Sequence, residues 1–145
     1  METIDKVIFL DFDGVISTPA VHFQGFDPEC IERLKRIIDE TNAFIVITLT
    51  WRKLHSLIEL KDMLHQVGIS RRVLGVTDIT DDRRDDQIQR WLDMTHPRNV
   101  QVKNIVVIDD DTKDLTAFEH VLVTPDGFKG LQDEDVEQAI RILQK

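Results

Sequence analysis

Four apolar residues, Val7-Ile8-Phe9-Leu10, run straight into Asp11-Phe12-Asp13-Gly14, and no other stretch constrains the fold of this chain as strongly. A short unbroken apolar run bounded by a turn signal is a strand buried on both faces. A strand of that kind needs a covering layer on each side, which points to a parallel sheet between helices. In such sheets ligands gather at the carboxyl ends of the strands, where Asp11 and Asp13 fall. Gly14 lets the backbone turn there without a Cβ clash. The plainer reading of these two aspartates is that they cap a turn.

The rest of the chain repeats the pattern. Residues 43–47, 73–76, 105–108 and 121–123 are further apolar runs of strand length. Between them lie helical patterns. Asp27-Pro28-Glu29 is a helix start, with an N-cap, a proline at the first helical position and an acid in the first turn. Ile31, Leu34, Ile37 and Ile38 follow at helical spacing. A second helix presents Leu54, Leu57, Leu60, Leu64 and Val67, with Gly68 at its C-terminal end. A third opens in the run 81–86 and buries Ile88, Trp91 and Leu92. A short helix after residues 105–108 starts with Asp111 as N-cap and Asp114 in its first turn. The last helix carries Val136, Ala139, Ile140 and Leu143 on one face. Residues 15–26 form a loop, with room for a short hairpin, over the end of the first strand. Strands alternating with helices give an α/β fold, and no repeat or linker divides residues 1–145, so one domain is expected.

Composition narrows the setting. The net charge of −9 opposes non-specific binding to nucleic acid or an anionic membrane. No apolar run is long enough to span a bilayer, and the acidic N-terminus is not a secretion signal. Cys30 is the single cysteine, which rules out an internal disulfide and suits a cytoplasmic protein. The five histidines show no zinc-ligand spacing with it.

Three of the strands end in groups suited to phosphate chemistry: Asp11 and Asp13, then Thr48, then Asp109 and Asp110. Neighbouring first and fourth strands would bring several carboxylates into one crevice, where like charges raise one another's pKa. A hard divalent cation such as Mg²⁺ relieves that repulsion. An aspartate can also act as a nucleophile, and a second carboxylate nearby can protonate a leaving oxygen and then activate water.

On these residues the chain resembles a haloacid dehalogenase (HAD) superfamily phosphatase. Residues 11–15, DFDGV, match the first motif; 44–48, FIVIT, match the second; 105–110, IVVIDD, match the acidic fourth motif. Residues 48–52 and 86–92 further resemble the small HAD domain of multidomain RNA repair proteins. The resemblance implies a HAD-like Rossmannoid three-layer sandwich with a five-stranded parallel sheet in the order 5-4-1-2-3. It also implies an Mg²⁺-dependent phosphohydrolase in which Asp11 is nucleophile and metal ligand. Asp13 is then acid/base, with its carbonyl on the metal; Thr48 holds phosphoryl oxygens; Asp110, with Asp109 beside it, completes the metal site. The third motif supplies a cation, for which Arg84 is the choice and Arg83 the alternative. A helix N-terminus disfavours cations, so two arginines there suggest an anion to hold; the plainer reading pairs both with the surrounding aspartates. Valine at position 15 and leucine at 49 depart from the threonine and small polar residues common in the superfamily. A non-catalytic phosphate- or Mg²⁺-dependent binding module on the same crevice is the competing function.

The substrate is expected to be a phosphorylated small molecule or a nucleic-acid terminus. Neither place where the superfamily inserts a cap has room for one here, so the crevice should be open. Arg52 and Arg83 are candidate substrate contacts, and Lys53 and Arg84 add local positive charge. His22 is a weaker candidate, and Trp51 is expected to serve packing.

Overall fold

In the computed structural model of the chain, residues 4–48, 56–77, 83–95 and 102–145 are described. The apolar run forms β1 (Lys6–Leu10), and its side chains alternate between two cores. Ile8 and Leu10 enter one, Val7 and Phe9 the other, and all four are fully buried. Each such side chain contributes about 1.5–3 kcal/mol on leaving water.

Parallel pairing places β1 between β2 (Phe44–Ile47) and β4 (Asn104–Ile108). The edges are β3 (Val73–Val76) beside β2 and β5 (Leu122–Val123) beside β4. The order β3-β2-β1-β4-β5 is the one expected from the sequence, read from the other edge. One face of the sheet is covered by α1 (Pro28–Thr41), α2 (Leu57–Gln66) and α4 (Asp133–Leu143). They supply Leu34, Ile37, Leu60, Leu64, Val136 and Leu143 to the larger core. The other face is covered by α3 (Arg84–Thr95) and a 3-10 helix at Thr116–Val121, through Ile88 and Phe118. Trp91 of α3 meets Phe9 edge-on, with ring centroids 5.6 Å apart. The architecture is therefore the three-layer HAD-like sandwich, and no cap domain stands among the described residues.

Local signals set several boundaries. The Asp27 side chain accepts from the Glu29 N–H at 3.0 Å and opens α1. Ser56 and Glu59 form a reciprocal capping box at α2. Other expectations need correction. The Asp111 carboxylate caps no helix: it accepts from the Lys113 N–H at 3.0 Å in a local turn, and helical backbone begins only at Thr116. Val121 ends that 3-10 helix, so β5 is one residue shorter than its apolar run. Residues 15–26 form no hairpin; they carry a 3-10 turn at Pro19–Val21. The Phe26 ring closes this loop against Phe12 at 5.1 Å. No helix among the described residues is long and apolar enough to cross a membrane.

Candidate active site

Register builds the site. Leu10 lies level with Ile47 of β2 and Ile108 of β4, and all three face the larger core. The pairing runs one residue further. The Asp11 N–H donates to the Ile108 carbonyl at 3.1 Å, and the Thr48 N–H donates to the Leu10 carbonyl at 3.0 Å. The Asp109 N–H likewise donates to the Val123 carbonyl at 3.2 Å. With a side-chain period of two, Asp11, Thr48 and Asp109 share the α3 side of the sheet at one level. Asp11 is 9% exposed and Asp109 1%.

Oxygens of Asp11, Asp109 and Asp110 lie within 4.8 Å of one another. Burial, then the Asp109 charge, pushes the Asp11 carboxyl up to about 8. Burial also raises Asp109 to about 6, against the opposing pull of the Asp111 N–H, which donates to it at 2.9 Å, and of the Arg84 charge. Burial raises Asp110 as well. Acids held above their ordinary range at so short a separation are short of positive charge. Nearby, Asp13 Oδ1 and the Thr48 and Ser17 hydroxyls are buried with no hydrogen-bond partner. Oxygen-only donors in need of positive charge are the chemistry that suits Mg²⁺, and Asp11, Asp109 and Asp110 are the residues that would hold it. The Asp13 side chain is outside this group.

Glycines make the close approach possible. An ideal Cβ on Gly14 would stand 2.3 Å from Asp110 Oδ2, and one on Gly127 would stand 2.7 Å from the same atom. Gly14 also has φ +79°, in the left-handed region. Behind it, the Phe12 carbonyl accepts from the N–H groups of Val15, Ile16 and Ser17 at 2.9–3.1 Å, which folds the chain sharply after Asp13.

A cation enters from α3. The Arg84 guanidinium pairs with Asp109 and donates to the Asp111 carbonyl at 2.8 Å. A family model describing the HAD domain in Swiss Army Knife RNA repair proteins matches residues 7–136. The chain belongs to this family. No curated protein matches it.

Within this HAD domain the two arginines part company. Arg83 donates to both oxygens of Asp85, at 3.1 and 3.3 Å, and to the Thr116 hydroxyl at 3.0 Å. None of its partners belongs to the carboxylate cluster, and it is Arg84 that reaches Asp109. The plainer reading of the charge run thus describes Arg83. Asp85 was not singled out in the sequence. It is 5% exposed, also accepts from the Ala117 N–H at 3.3 Å, and Arg83 holds its carboxyl below the usual range. Its own N–H donates to the Asp114 carbonyl at 2.9 Å. Residues 83 and 85 thereby tie the start of α3 to the loop after β4, with Arg84 between them. The Gly127 contact is a second feature the sequence did not disclose, since 124–127 reads only as a turn. Arg52, Lys53 and Trp51 lie outside the described residues. His22 is exposed in the loop after β1, with φ +54°.

Proposed function

We propose that this HAD domain is an Mg²⁺-dependent phosphomonoesterase working through an aspartyl-phosphate on Asp11, with a nucleotide or nucleic-acid end as the phosphate bearer. The convergence of Asp11, Asp109 and Asp110 within 4.8 Å carries the reading. An Asp11 oxygen attacks phosphorus, and the P–O bond to the leaving group breaks. Asp13 gives its proton to the departing oxygen, then takes one from the water that attacks phosphorus and frees phosphate and Asp11. The unpartnered Thr48 hydroxyl and the Arg84 guanidinium supply donors for phosphoryl oxygens. A bound Mg²⁺ supplies positive charge, which offsets carboxylate repulsion and phosphate charge alike.

The nucleic-acid element rests on the family and on the absence of a cap among the described residues. The charge of −9 limits long-range attraction, so oligonucleotide binding should be weak and strongly salt-dependent. The single buried Cys30 supports a cytoplasmic setting.

A fluorogenic phosphate ester, assayed with Mg²⁺ and with EDTA, tests the proposal. Turnover should require Mg²⁺ and vanish in Asp11→Asn, since an amide cannot form the intermediate. Near-normal turnover in that variant would remove the covalent mechanism. Mg²⁺ binding without turnover on any phosphate ester would leave the binding module instead.

A further inference from the structure

The chain has seven phenylalanines, and five of them, at positions 9, 12, 26, 44 and 118, are buried or partly buried. The other two are not: Phe128 is 83% exposed and Phe23 44%. Both stand on loops at the carboxyl end of the sheet. Phe128 directly follows Gly127, the residue packed against Asp110. Phe23 belongs to the loop that leaves Asp13 and Gly14. The two loops touch: the Leu131 N–H donates to the Val15 carbonyl at 2.8 Å, and an added Cβ on Gly130 would strike Thr18.

Neither ring rides on slack backbone. The Asp126 carboxylate accepts from the Phe128 N–H at 2.8 Å, and the Asp126 carbonyl accepts from Lys129 and Gly130 at 3.0 and 2.8 Å. Phe23 has φ +54°, as does His22, in a region that bulky residues seldom occupy. Its N–H is held by the Thr18 carbonyl at 3.0 Å. Strain of this kind persists where the surroundings impose it, and it clusters at ligand sites. Both rings have an exposed basic-type neighbour, Lys129 beside Phe128 and His22 beside Phe23. Aromatic faces interleaved with such groups bind bases and backbone phosphates.

We propose that Phe128 and Phe23 form a stacking surface for the nucleobase carried on the leaving group, so that the open crevice selects phosphates borne on nucleotides. This rests on the phosphatase reading and adds the element that recognises what the phosphate is attached to. Residues that touch the base should change affinity for a nucleotide and leave the phosphoryl chemistry alone.

The test compares adenosine monophosphate with glycerol phosphate, which offers the same phosphomonoester and no base. With Mg²⁺ present, Phe128→Leu should lower kcat/KM for the nucleotide by roughly 5- to 100-fold, chiefly through KM. Glycerol phosphate should be unaffected, Phe128→Trp should restore the nucleotide, and Phe23→Leu should act in the same direction. Equal loss on both substrates, or none on either, overturns the proposal. So does a change in oligomeric state without a change in nucleotide kinetics, which would make the patch a protein interface. NMR separates this from a failure of the phosphatase reading. Adenine protons of the nucleotide should shift upfield on adding the Asp11→Asn protein, by ring current, and lose that shift with Phe128→Leu. Absence of any upfield shift overturns the stacking surface whether or not the domain turns over phosphate esters.

Discussion

Gly127→Ala isolates the contact that seats Asp110. The backbone of Gly127 is not in the positive-φ region, so alanine is compatible with it. The new methyl would stand 2.7 Å from Asp110 Oδ2 and 3.6 Å from its Cγ. Ordinary contact requires the carboxylate oxygen to withdraw by roughly 0.5–1 Å. Mg²⁺ demands near-octahedral geometry with bonds of about 2.0–2.1 Å, so a ligand moved that far no longer meets it. Loss of a positioning contact around a metal ligand typically costs about 10–100-fold in affinity, equivalent to about 1.4–2.8 kcal/mol. The Mg²⁺ midpoint, by titration of activity and by calorimetry, should therefore rise about 10–100-fold. Thermal unfolding in EDTA should change little, because Asp110 is only partly buried and lies outside the apolar cores. Gly75→Ala is the control, since its nearest neighbour would be Trp91 Nε1 at 3.9 Å. A Gly127→Ala protein with the wild-type Mg²⁺ response would refute the seat, and with it the place of Asp110 in the metal site.

Three further outcomes follow from the same geometry. Asp13→Asn should slow turnover by roughly 100-fold or more, the scale of a lost general acid/base, with Mg²⁺ affinity retained; steady-state kinetics with calorimetry checks both. Asp85→Ala removes the acceptor of the Ala117 N–H and leaves Arg83 only Thr116 and Asp114. Loss of the buried carboxylate should cost about 1–3 kcal/mol in chemical denaturation while lowering kcat through a less well-placed Arg84; unchanged stability would show the clamp to be idle. In the metal-free fold Asp11 keeps its proton to about 8 and Asp109 to about 6, against an ordinary 3.8. Between those limits the fold binds more protons than the unfolded chain, so stability in EDTA should fall as pH rises from 3.8 to about 8. Asp11→Asn should flatten that slope in urea unfolding measured across the range; an unaltered slope would show that Asp11 titrates normally.

The sheet was legible because its code is local. Val7 to Leu10 can bury both faces only inside a layered α/β fold, and each later apolar run adds a strand of the same kind. Asp27-Pro28-Glu29 opens its helix through contacts within two residues. The site carboxylates were legible for a related reason. Register carries Asp11, Thr48 and Asp109 to one level once the strand order is known, and the order follows from where the acidic strands must meet. What stayed hidden depends on distances between segments far apart in sequence. Which arginine faces Asp109 is decided by how the start of α3 docks on the sheet: Arg84, the first helical residue, reaches Asp109, while Arg83, just before the helix, turns to Asp85 and Thr116. The seat of Asp110 on Gly127 joins two loops, and no pattern within either loop records how closely they pack. At Asp111 a distant contact and a local one act together: its carbonyl accepts from Arg84, and its carboxylate closes a turn onto the Lys113 N–H two residues on, in place of a helix cap. Strand identity is a property of neighbouring residues, which a sequence states outright; the aim of a guanidinium or the fit of one carboxylate belongs to the packed whole.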